Sequence, residues 1–136
     1  MTVIGITGTR HGLTEYQVEE LTKMLSGNDD PLIMHHGDCV GADATADRIA
    51  RDLGYEFIGI HPPTVSTWRA WCSRAHNVRI FEETDYHQRN RHIVNGSDML
   101  IALPFGMERQ QKGGTWMTVR YAESTGIPVT ILWPQP

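Results

Sequence analysis

Short apolar runs alternate with helix-patterned stretches along this chain, and glycine-rich turns join them. Residues 3–6, 32–34 and 99–103 are apolar without polar alternation, and 55–60 and 129–133 are mostly apolar. That is the pattern of strands buried on both faces, as in a parallel sheet. The stretches between them carry helix signals. Thr14 and Gln17 stand in capping-box spacing, and Val18, Leu21 and Leu25 share one helical face. Ala42, Ala46, Ile49 and Leu53 form the inner stripe of a second helix that Gly54 stops. Asp85 and Gln88 cap a third over 86–95, and Gly126 closes a fourth over 115–125. Strands alternating with helices imply a parallel sheet covered on both sides. The expected fold is therefore α/β: a Rossmann-like three-layer sandwich, mostly parallel, forming a single domain over residues 1–136. Residues 64–81 are the least regular part, with Trp68, Trp71 and Cys72 preceding a short strand over 78–81.

Length and charge narrow the function. The 136 residues make about one domain. Apolar content of 40% and charged content of 21% are ordinary for a globular protein. A net charge of −4 argues against broad nucleic-acid binding, which needs a basic face. Two cysteines, Cys39 and Cys72, make no disulfide framework and fit a reducing compartment. No apolar run approaches the ~20 residues that span a bilayer, and residues 1–3 lead straight into a strand. A cytoplasmic protein with no membrane partner is expected.

Three turns carry the functional signal. Gly8-Thr9-Arg10-His11-Gly12, Gly37-Asp38-Cys39-Val40-Gly41-Ala42-Asp43 and Lys112-Gly113-Gly114-Thr115 each stand where a strand feeds a helix. In a parallel sheet such turns share one edge, at the carboxyl ends of the strands, where ligands bind. Exposed N–H groups and the positive end of a helix dipole suit phosphate. The first turn is not G-x-G-x-x-G and lacks the acidic residue expected beyond the second strand, which disfavours nicotinamide chemistry. Asp38, directly after a buried strand, is read as a ligand contact for a ribose hydroxyl, and Asp43 as a helix cap. Arg89 and Arg91 are two apart on a helix, so only one can face a pocket. His35, His36, Asp38 and Cys39 match no metal-binding pattern, so no metal is expected. Trp68 and Trp71 form either an aromatic wall for a base or a packing surface.

The ordered set Gly8-Thr9-Arg10, Gly37-Asp38-x-x-Gly41-Ala42-Asp43, Arg89-Asn90-Arg91-x-Ile93-Val94, Ser97-Asp98 and Lys112-Gly113-Gly114-Thr115 resembles the SMF/DprA–LOG superfamily across nearly the whole chain. The best match is to its small stand-alone members in bacteria and phages. The superfamily includes the lonely-guy phosphoribohydrolases and the DNA-processing protein A family. The resemblance implies a Rossmann-like fold, a nucleotide-type ligand over the carboxyl edge, and a homodimer. In the phosphoribohydrolases an Arg and a Gly-rich turn flank the N-glycosidic bond; Arg89 and Gly113–Thr115 match them. Those enzymes carry a Glu just after the turn, where this chain has Trp116, Met117 and Thr118.

The expected function is binding of a nucleotide or nucleotide-derived phosphorylated ligand, with no cofactor required. The expected contacts are Gly8, Thr9, Arg10, Gly37, Asp38, Gly41, Asp43, Arg89, Asn90, Gly113, Gly114 and Thr115. One alternative is an N-glycosidic hydrolase of nucleoside monophosphates, with Asp38 and Arg89 as catalytic residues. A DNA-processing accessory protein is the other, with nucleic acid disfavoured by charge.

Overall fold

The computed structural model describes residues 2–27, 32–64, 66–72 and 78–136. The strands are β1 Thr2–Gly8, β2 Leu32–His36, β3 Phe57–Ile60, β4 Val78–Ile80, β5 Met99–Leu103 and β6 Val129–Ile131. The helices are α1 Glu15–Ser26, α2 Ala42–Asp52, α3 Tyr86–Asn95 and α4 Gly114–Thr125, with a short 3-10 turn over Ser66–Trp68. All pairs are parallel and the strand order is β4-β3-β2-β1-β5-β6. Among the described residues no helix is long and apolar enough to cross a membrane.

Local signals explain most of the boundaries. Thr14 accepts the Gln17 N–H and the Gln17 side chain accepts the Thr14 N–H, closing a capping box on α1. Gln17 then turns inward and donates to the carbonyls of Pro104 and Leu132, tying this helix start to the far side of the sheet. Asp85 caps α3 through the N–H groups of His87 and Gln88. Gly126, at φ 85°, ends α4 in the left-handed conformation that an L side chain resists.

Two apolar clusters lie on opposite sheet faces. Ile4, Ile6, Met34, Ile58, Ile101 and Leu103 pack against Leu21 and Leu25 of α1 and Ala42, Ala46 and Ile49 of α2. Leu100 and Ala102 point the other way, against Trp116, Val119 and Ala122 of α4 and Val94 of α3. The strict alternation along β5 is the pleat of a strand covered on both sides.

Three details differ from the sequence reading. The third strand starts at Phe57, because the Tyr55 N–H completes the end of α2 on Ala50 and its hydroxyl donates to Leu25. Leu53 is the C-cap of α2 and 41% exposed, outside the inner stripe. The last strand ends at Ile131. Residues 73–77, within the irregular 64–81 stretch, lie outside the described residues.

Candidate functional site

Chain order runs outward from β1 through β2 and β3 to β4, then reverses to β5 on the other side of β1. A reversal of this kind leaves a crevice outside the carboxyl ends of the two central strands. Here the crevice is a cavity of about 260 Å³. Of the residues expected at the site, Gly8, Thr9, Arg10, Asp43, Arg89, Asn90, Gly113, Gly114 and Thr115 line it. Gly37, Asp38 and Gly41 do not line it.

The first two turns are laced together. The Thr9 N–H donates to Leu103 and the Thr9 carbonyl accepts from Ala42, both at 2.9 Å, so one residue bridges β5 and the start of α2. This approach requires Gly41: at φ 92°, any Cβ there would stand 2.4 Å from the Thr9 carbonyl oxygen. At the rim, the Arg10 guanidinium lies 4.1 Å from the ring centre of Trp68, a cation–π contact that roofs one side.

Arg89 is the buried cation of the crevice, 5% exposed. Its Nη1 donates to the Gly37 carbonyl at 3.1 Å and to Cys39 Sγ at 3.6 Å. A Cβ on residue 37 would lie 1.6 Å from that Nη1, so Gly37 supports the site from behind by leaving room for the arginine. Arg91 points elsewhere, over the Tyr121 ring.

Neither aspartate of the second turn takes the role expected of it from its position in the sequence. Asp38 is 1% exposed and faces away from the cavity: Oδ2 accepts from Arg69 Nε, and Oδ1 from the Cys72 N–H, both at 2.9 Å. Its carbonyl also accepts the Ala70 N–H. Asp38 thus anchors the 66–72 segment and is in no position to hold a ribose or act as a catalyst in this cavity. A φ of 55° turns its side chain outward from the strand line; Asp is among the few non-glycine residues that tolerate that region. Asp43, expected to cap α2, instead reaches back. Its Oδ2 accepts the N–H groups of Gly37 and Cys39, while Oδ1 is buried without a hydrogen-bond partner among the described residues. Desolvation pushes the Asp43 carboxyl above the usual carboxylate range, against the opposing pull of His36 and Arg89.

Burial, with Asp43 next, raises the thiol pKa of Cys39, also in the wall, to about 11, which disfavours the thiolate. His35 and His36 project to opposite sides of β2. His36 accepts the Asp38 N–H on Nδ1 and meets Asp47 through Nε2 at 2.7 Å, which fixes the proton on Nε2. His36, Asp47 and Cys72 place ligand-type atoms within 4.8 Å of one another, but both nitrogens of His36 are already engaged. His35 Nδ1 lies 2.7 Å from His61 Nε2, and His61 stacks on Phe81. Sequence gave no sign of the Asp38–Arg69 or His35–His61 pairs, since both partners are distant in the chain and match no motif.

A second cavity, about 280 Å³, adjoins the first. Both are lined by Thr9, Gly113, Gly114 and Thr115, and the second adds Pro104, Phe105 and Trp116. Trp116, in the stretch where the resemblance puts a catalytic Glu, is 4% exposed and packs at 5.7 Å on Trp133. Glu123 pairs with Arg109 on the exposed side of α4.

No family model matches the chain, and no curated protein does. Solved structures do. DNA processing protein A from Helicobacter pylori, a single-stranded DNA binder, superposes with a TM-score of 0.72 and 20% identity over 99% of this chain and 66% of its own. The Streptococcus pneumoniae protein of that name gives 0.69 and 16%, over 96% of this chain and 50% of its own. The molybdenum cofactor carrier protein of Chlamydomonas reinhardtii gives 0.66 and 21%, over 96% and 76%. This chain therefore spans about two thirds of the first and half of the second. In fold, the chain is a Rossmann-like α/β sandwich similar to these DNA processing protein A and cofactor-carrier structures.

Proposed function

We propose that the crevice binds a nucleotide or nucleotide-derived phosphorylated molecule. One observation carries this reading: three glycine-rich turns, separate in sequence, meet around one cavity that also holds a buried arginine. Thr9 and the start of α4 offer a hydroxyl and N–H groups to phosphate. Arg89, which lines the same cavity, supplies the compensating charge, and Asn90 adds a donor and an acceptor. The net charge of −4 favours a small ligand over a long polyanion, although the H. pylori relative in fold binds single-stranded DNA. Isothermal titration with nucleoside mono- and diphosphates tests the reading. Arg89→Ala should weaken binding by about 1.5–3 kcal/mol, the scale of a charged hydrogen bond. Equal affinity in parent and variant would remove Arg89 from the site.

Asp43 favours a second reading, N-glycosidic hydrolysis, because a carboxyl of raised pKa stands in the wall beside Arg89. Free base released from a nucleoside monophosphate, and abolished in Asp43→Asn, would establish it.

A further inference from the structure

We infer that Trp68 is a positioning residue for the ligand's phosphate: it holds the Arg10 guanidinium at the crevice mouth, with the N–H fork still available to what enters. This rests on the reading above and deepens it. Two tryptophans of the 66–72 segment each carry an arginine, and the arginines differ in what they have left to give. Arg69 lies 3.9 Å from the ring centre of Trp71, but its Nε is committed to Asp38 Oδ2 at 2.9 Å, and neither residue lines the cavity. Arg10 lies 4.1 Å from the ring centre of Trp68, and both of these residues line it. Among the described residues the Arg10 guanidinium makes no hydrogen bond and no ion pair. A cation–π contact restrains a guanidinium without giving its N–H groups an acceptor.

The second turn fixes both partners through the main chain. The Val40 N–H donates to the Trp68 carbonyl at 3.0 Å and the Ala70 N–H to the Asp38 carbonyl at 2.7 Å, on either side of an antiparallel bridge between Cys39 and Arg69. One residue further, Gly41 packs so closely on the first turn that a Cβ there would stand 2.7 Å from the Arg10 carbonyl carbon. Residues 39–41 thus set the backbones of Trp68 and Arg10 in one frame. The indole then restrains the far end of the arginine. A long exposed side chain loses rotamer freedom when it grips a ligand, and a ring that already restrains it removes part of that cost. A planar fork held in one place with its donors unspent matches the oxygens of a phosphate.

Calorimetric titration of the full chain with AMP, GMP, UMP and their diphosphates, at one fixed salt concentration, selects the tightest binder for a double-mutant cycle. Arg10→Ala should weaken that binding at least about tenfold, the loss of one charged hydrogen bond. Trp68→Ala should weaken it at least about threefold, and Trp68→Phe, which keeps a ring face, should stay within about twofold of the parent. In the Arg10→Ala background, Trp68→Ala should change affinity by less than about twofold. Trp71→Ala, which frees only Arg69, should bind as the parent does. Trp68→Leu, which keeps bulk without a ring face, takes the place of Trp68→Ala in the cycle should the alanine variant fail to fold. Parent-like affinity in Arg10→Ala would overturn this inference alone. So would a Trp68 loss that persists in full without Arg10, the result expected of an indole stacked on a base. Absence of binding by every nucleotide would sink the parent reading with it.

Discussion

The turns after β2 and after β5 open on the same crevice, yet they are built in opposite ways. Residues 37–41 are held from all sides: Asp43 takes two of their N–H groups, His36 takes a third, and Val40 bonds to Trp68. The connection after β5 is long and exposed from Phe105 to Gly113, and Gly113 starts α4 with no side-chain cap. One turn is organised in advance and fixes Arg89 and Asp43. Its counterpart keeps backbone donors available for whatever enters. The difference teaches that glycine serves close packing in the first and open access in the second.

Substituting those glycines should break the comparison most visibly. Gly41→Ala combines a left-handed φ with a 2.4 Å clash against Thr9, and should lose about 3 kcal/mol or more in a urea melt. Gly113→Ala, at φ 102° but with open space around it, should lose only about 1–2 kcal/mol. Comparable losses would mean that the two turns are equally constrained.

The aspartates should separate next. Asp38→Asn leaves Arg69 without its anion and should cost about 2–3 kcal/mol, discounted for the partial exposure of Arg69, with ligand affinity kept. Asp43 behaves differently with pH. Its folded pKa is raised, so its contribution is present at low pH and lost as pH rises through that value. Asp43→Asn should therefore gain stability relative to the parent as pH rises above the ordinary carboxylate range. A difference between the two proteins that does not change with pH would contradict the burial argument.

A separate, pH-dependent effect lies away from the crevice. Burial first, then His35, lowers the His61 pKa to about 3, and burial likewise lowers that of His35. Both are neutral in the folded protein where the unfolded chain takes up protons. The His61 contribution is full above pH ~6.5 and is lost as pH falls toward 3, on the order of 1 kcal/mol per pH unit, and His35 acts in the same direction. Chemical melts of parent and His61→Asn across pH 7 to 4 should show a shallower decline in the variant.

How much of this was legible in the sequence differs by element. Both the Thr14–Gln17 capping box and the Asp85 cap were readable because they are local, and so were the apolar strands 99–103 and 32–34. Convergence of the turns followed from the parallel topology alone. The aspartate roles were not readable: that Asp38 faces Arg69 depends on a backbone rotation to φ 55° and on a partner 31 positions away. Leu53 misled because a helix ends where its cap forms, one residue short of the apolar pattern. The second cavity was invisible, since Phe105 and Trp116 read as loop and helix interior until the fold set them across from Thr9.

The central position of β1 constrains how the molecule is assembled. Thr2–Gly8 pairs with Leu32–His36 on one flank but must wait for Met99–Leu103 on the other. A nascent chain that has emerged only as far as Ile80 exposes an unpaired sheet margin of apolar residues, open to any extended segment nearby. Closing so wide a loop is slow, which makes synthesis of β5 the step that ends the risk of aggregation.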